Sequence, residues 1–147
     1  MTDPVDVSDS LAYRIYRVQR LLRRQLVQIT SSVGSDLSPE QWFVLNKLAL
    51  RPGQALVELG DAIFADRPNL TRIVAGLERR DLVRREKDPE DGRRVLLFLT
   101  AEGRAVQDAV AAVVPGERAD LFAGISAEDL ARTEDVLEQI EQNILKH

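Results

Sequence analysis

One stretch, Asp66 to Thr100, limits the fold more than any other, because a short amphipathic helix runs with no spacer into a hairpin. Asp66 is a strong N-cap, since its carboxylate can accept from an amide that the first turn leaves without a partner. Pro68 fits that first turn, where a missing N–H costs nothing. Leu70, Ile73, Val74 and Leu77 then recur at helical spacing and predict one buried stripe. Val83–Lys87 and Val95–Leu99 are strand-like runs separated by Asp88-Pro89-Glu90-Asp91-Gly92-Arg93-Arg94, in which Asp-Gly is the strongest turn signal.

Away from its apolar stripe, the helix carries Asn69, Arg72, Ala75 and Arg79, with Thr71 to one side. Small, hydrogen-bonding and cationic side chains of that kind suit the major groove of a duplex. Two arginines at the edge of the loop can reach a neighbouring minor groove, where narrowing deepens the negative potential. A helix followed by such a hairpin is the winged helix-turn-helix layout. Upstream, Ala55 to Phe64 reads as a short helix with Leu56, Leu59 and Ile63 inward, and Phe64-Ala65-Asp66 is the turn between the two helices.

The resemblance is specific at Arg67-Pro68-Asn69-Leu70-Thr71-Arg72, Leu77-Glu78-Arg79-Arg80-Asp81-Leu82-Val83, Asp91-Gly92-Arg93 and Leu99-Thr100-Ala101-Glu102-Gly103-Arg104. These segments resemble the MarR family of bacterial transcriptional regulators. The resemblance runs from about Leu11 to Leu145 and is generic in the terminal helices. It implies a mainly α fold with a small β-hairpin, in which a winged helix-turn-helix is flanked by N- and C-terminal dimerisation helices. It further implies a homodimer whose small aromatic or anionic effector releases DNA. Gly92 departs from the family pattern, where an arginine is common, so Arg93 and Arg94 remain alternatives for the minor-groove contact.

The flanking segments fit that frame. Leu11, Ile15, Val18, Leu22, Leu26, Ile29 and Val33 follow one another at three- and four-residue steps, which predicts a long helix ending near Gly34. Ser38-Pro39-Glu40-Gln41 opens the next helix, with Ser38 as N-cap and Gln41 able to complete a capping box. Trp42, Val44, Leu45, Leu48 and Ala49 make its core face, and Arg51-Pro52-Gly53 ends it. Thr100 caps a further helix, which Pro115-Gly116 is expected to kink or break. Ser126-Ala127-Glu128-Asp129 starts a last helix with Leu130, Val136, Leu137, Ile140 and Ile144 along one side. Such long stripes need helical partners, and two-fold pairing of chains is the commonest solution. The whole of 1–147 is read as a single MarR-like domain, with residues 38–100 as the DNA-binding part and 10–34 and 101–146 as dimerisation helices.

Composition narrows the chemistry. The chain has no cysteine, and its only histidine is His147, so thiol catalysis, disulfides and histidine-based metal sites are excluded. An enzyme would rest on carboxylates or serines, and Asp88, Glu90 and Asp91 lie on a turn with no pocket to tune them. No enzymatic activity and no cofactor is expected. The acidic start MTDPVDVSDS is unlike a secretory signal and no span is long enough for a membrane, so the expected location is the cytoplasm, without a membrane partner. A net charge of −4 argues against a nucleic-acid partner only on average. Residues 11–24 hold five arginines and no acid, and residues 66–94 hold nine bases against seven acids. Screening confines charges to about 10 Å, so this local balance governs phosphate contact.

The function expected from these readings is a sequence-specific, homodimeric repressor of transcription on a pseudo-palindromic site in double-stranded DNA. Arg67, Pro68, Asn69, Thr71, Arg72 and Arg79 on the helix, with Asp91, Arg93 and Arg94 on the wing, are the expected DNA-binding residues. Asp91 is expected to pair with the Arg93 side chain across the turn. Arg17 and Trp42 are the expected liners of an effector pocket, although solvated surface for the arginine and core or dimer-interface packing for the tryptophan are the favoured readings of those residue types. The rival reading is a winged helix that serves as a protein-interaction scaffold without binding DNA.

Overall fold

Capping chemistry marks out the helices of the computed structural model, which describes all residues from 1 to 147. After a short 3-10 turn at Val7–Asp9, α1 (Leu11–Ser32) begins where the Ser10 hydroxyl accepts from the Tyr13 amide. α2 (Pro39–Leu50) opens on the full capping box: Gln41 N–H donates to Ser38 Oγ, and Ser38 N–H donates to Gln41 Oε1, both at 3.1 Å. α3 (Leu56–Ile63) and α4 (Arg67–Arg79) are joined by a tight turn in which Phe64 takes the left-handed conformation at φ 59°. Asp66 then caps α4, its Oδ1 accepting from the Asn69 amide at 2.9 Å.

The sheet has three antiparallel strands in the order β1 (Gln54–Ala55), β3 (Val95–Leu99), β2 (Val83–Lys87). Val83 faces Leu99 and Lys87 faces Val95, so the expected hairpin has the expected ends. The third strand, β1, is an addition: Gln54 and Ala55 pair with Leu97 and Leu96 and tie the hairpin to the entrance of α3. The outer strand β2 presents Arg84, Arg85, Glu86 and Lys87, all exposed, and a charged edge of this kind resists pairing with another sheet. Arg84 also lies 4.7 Å from the centre of the Phe98 ring.

α5 (Ala101–Leu121) and α6 (Ala127–Leu145) complete the chain. Contacts divide it into two units, Met1–Val113 and Val114–His147. The first holds the core: Val44, Leu45 and Leu48 of α2, Leu59 of α3, Val74 and Leu77 of α4, Leu97 of β3 and Val110 of α5 are wholly buried. Each such side chain contributes about 1.5–3 kcal/mol of burial. The second unit consists of the end of α5 and all of α6, and no residue of α6 is buried. Pro115 does not end α5. It sits inside the helix, which loses the hydrogen bond that a proline cannot donate and carries on to Leu121.

One glycine is required by close packing, and a second lies in a tight contact with a neighbouring helix. A Cβ on Gly103, at the start of α5, would stand 2.0 Å from the carbonyl oxygen of Leu82. The same seam is stitched by Thr100, whose N–H donates to Leu82 O and whose hydroxyl donates to Asp81 O while accepting from Gly103 N–H. Gly76 in α4 is buried under α2, and a Cβ there would meet Gln41 Nε2 at 2.8 Å. The obstacle is the movable end of the Gln41 side chain, so the contact is tight but not closed to a methyl group.

Candidate nucleic-acid interface

α4 buries Leu70, Val74, Gly76 and Leu77, which rolls the opposite face outward. Arg67, Pro68, Asn69, Thr71, Arg72 and Arg79 are all exposed on this helix, as its spacing predicts. Ile73, expected in the buried stripe, is only half-buried. The exposed side chains are also ordered among themselves. Asp66 Oδ2 accepts from Asn69 Nδ2 at 3.0 Å, and Asn69 Oδ1 in turn accepts from an Arg72 guanidinium nitrogen. An acid, an amide and a cation therefore form a relay along one ridge, and the amide orientation is fixed because only its NH2 can serve a carboxylate. Thr71 donates its hydroxyl to Arg67 O at 2.9 Å, leaving its methyl and its acceptor lone pairs for a ligand. The face has the donors and apolar contacts that reading base edges requires.

The loop between β2 and β3 is closed by its own backbone. Asp88 N–H donates to Arg94 O and Arg94 N–H to Asp91 O, each at 2.9 Å. Asp88 Oδ1 accepts from Glu90 N–H, and Asp91 Oδ1 accepts from Arg93 N–H at 3.1 Å. The contact between Asp91 and Arg93 is thus to the main chain, whereas the sequence suggested a carboxylate–guanidinium pair. Asp91 shapes the turn. Arg93 and Arg94 are both exposed, yet they differ: Arg94 is paired with Glu58 of α3, and no side-chain bond engages Arg93.

Two further residues had no local sequence signal. Glu58 meets Arg94 across 36 positions. Arg80, at the end of α4, donates to the carbonyls of Ser35 and Asp36 and so ties α4 to the loop before α2. Both contacts join residues that only the fold brings together.

The expected effector liners are not united. Arg17 borders a depression of about 740 Å3 along α1, with Tyr13, Tyr16, Arg20 and Arg24, and Trp42 is absent from it. Trp42 is instead buried at 8% exposure, its ring 5.6 Å from that of Phe43, with its indole N–H lacking a protein acceptor. A second groove of about 540 Å3 lies against α4 itself and includes Arg23, Glu40, Gln41, Phe64, Asn69 and Arg72. Within it, Arg23 donates to Glu40 at 2.5 Å. Burial raises the Glu40 pKa, but hydrogen bonds from Arg23, from its own amide and from Ser38, with the charge of Arg23, outweigh burial and hold the carboxyl below its ordinary value of 4.5.

Residues 37–95 match the sequence profile of the MarR family. The chain is 40% identical over 80 residues, 54% of its length, to the transcriptional regulator HosA of Escherichia coli O111:H-; the match spans 57% of that protein. Its fold resembles that of a mutant Escherichia coli MarR complexed with operator DNA, with a TM-score of 0.83 and 26% identity over 92% of this chain and 99% of the other. It also resembles the PcaV transcriptional regulator of Streptomyces coelicolor in complex with its natural ligand, at a TM-score of 0.78 and 26% identity, covering 96% and 98% of the two chains.

Proposed function

The chain belongs to the MarR family, and from that premise we propose that it is a homodimeric, sequence-specific DNA-binding repressor of transcription. The observation that carries this reading is the ordered ridge Asp66–Asn69–Arg72 on the exposed face of α4. Arg72 reads a base edge from the major groove, Asn69 orients it, and Thr71 offers its methyl to a neighbouring base. Arg67 and Arg79 hold phosphates at the two ends of the helix, with Pro68 shaping its first turn. Two copies would set their recognition helices about one turn of the duplex apart, on a pseudo-palindromic site. Likeness to a relative solved on operator DNA supports the placement of the helix.

The test is a selection of bound sites from a random duplex library, followed by gel-shift titration across salt. Wild-type protein should enrich a pseudo-palindrome and lose affinity steeply between about 50 and 200 mM salt. Arg72→Ala should cost about 1–3 kcal/mol on the selected site and relax the consensus at one position per half-site. Retention of no duplex at low salt would favour the protein-interaction scaffold, a reading that the net charge of −4 keeps in play.

A small aromatic or anionic effector is part of the same proposal, supported by likeness to a relative solved with its natural ligand. The groove beside Asn69 and Arg72 is a place where such a molecule would compete directly with DNA. A thermal-shift screen of phenolic acids is the direct probe, and silence across a broad panel counts against an effector of this class.

A further inference from the structure

We infer that Glu58 is a positioning residue that divides the work of the two wing arginines, holding Arg94 against the helix-turn-helix and leaving Arg93 as the arginine that enters the minor groove. The inference rests on the DNA-binding reading above. Glu58 stands in the first turn of α3, and both of its carboxylate oxygens are engaged. One accepts from the Ala55 N–H at 3.2 Å, closing the start of the helix, and the other accepts from the Arg94 guanidinium. Ala55 is itself paired with Leu96 in the sheet, two residues beyond Arg94. The carboxylate therefore sits at the point where the entrance of α3 meets the root of the wing.

The two arginines at this root are held differently. The Arg94 backbone is bonded through both its N–H and its C=O, and its guanidinium is bonded to Glu58. The backbone N–H of Arg93 is bonded to Asp91, while its guanidinium is left to solvent. A half-exposed ion pair such as Glu58–Arg94, with side chains 36% and 44% exposed, adds little to stability. Its effect is on geometry and charge. Pairing removes one cation from the set available to phosphates and fixes the direction in which the loop projects. It also neutralises a carboxylate that would otherwise face an approaching polyanion.

The experiment compares wild type with Glu58→Gln, Arg93→Ala, Arg94→Ala and the Glu58→Gln/Arg94→Ala double variant. Each is measured free, by 15N relaxation of the amides of residues 88–94 and by the Arg94 side-chain Nε–H resonance. Each is also measured on a mixed-sequence duplex and on the duplex selected from a random library. Glu58→Gln should loosen the loop and shift the Arg94 resonance. It should tighten mixed-sequence binding several-fold and steepen its salt slope by about 0.9, the increment for one added phosphate contact. Discrimination between the two duplexes should fall by the same factor, and the whole effect should vanish in the double variant. Arg93→Ala should weaken the selected duplex most.

The proposal is overturned if Arg94→Ala flattens the wild-type salt slope as much as Arg93→Ala does, because Arg94 would then already be on the DNA. It is equally overturned if Glu58→Gln acts undiminished without Arg94. Should wild type retain no duplex at low salt, the DNA-binding reading fails by itself. Loop relaxation still decides the pairing in that event, and an unchanged loop in Glu58→Gln rejects it.

Discussion

Single residues settle several questions here that residue type alone leaves open. Three glycines make the point. Gly103 faces a carbonyl that a methyl group would penetrate, whereas nothing lies within 4 Å of a Cβ built on Gly116. Both are helical positions in α5. Gly103→Ala should therefore destabilise the protein by about 3 kcal/mol through overpacking against rigid backbone. Gly116→Ala should stabilise it by about 0.5–1 kcal/mol by restricting the unfolded chain. Urea unfolding of the two variants checks both signs, and equal effects would contradict the geometry. Gly76 shows why sequence reading stalls at such positions: its obstacle is Gln41, on another helix. The two wing arginines are a similar case, since what distinguishes them is a glutamate 36 residues earlier.

Elements were the most legible scale. Helices with a strong N-cap and strands with a continuous apolar run announce themselves locally, so Ser38-Pro39-Glu40-Gln41 and Val95–Leu99 lie where their residues place them. β1 is invisible because two residues cannot show alternation, and both of its side chains are buried. Pro115 does not break α5, which stays helical past it to Leu121. The capped start of α2 also sets a pH dependence. Glu40 has its folded pKa below its unfolded one, so its stabilisation is complete above about 4.5 and disappears as pH falls through the folded value. Its side chain is 35% exposed, which limits the contribution to under about 1 kcal/mol. Thermal melts between about pH 6 and pH 3, the range of carboxylate titration, should show a smaller acid loss for Glu40→Gln than for wild type. Parallel curves would remove Glu40 as a contributor.

On the scale of the whole molecule, the apolar surface is unevenly covered. α1 leaves Leu11, Tyr16, Val18, Leu21 and Leu22 exposed, and α6 leaves Val136, Leu137, Ile144 and Leu145 exposed. In the homodimer proposed above, a second copy would cover faces of this kind. The melting temperature should accordingly rise with protein concentration, and Leu22→Glu or Leu137→Glu should shift sedimentation toward monomer. A monomeric wild type at micromolar concentration would defeat the homodimer. The stripes that suggest this pairing are plain in the sequence, but a stripe does not name its partner. The seam at Leu82, Thr100 and Gly103 adds a mechanical consequence. Because α5 starts flush against the backbone that leaves α4, there is no slack between them. A tilt of α5 would press directly on the backbone that leaves α4, which makes this seam the short mechanical route between the two helices.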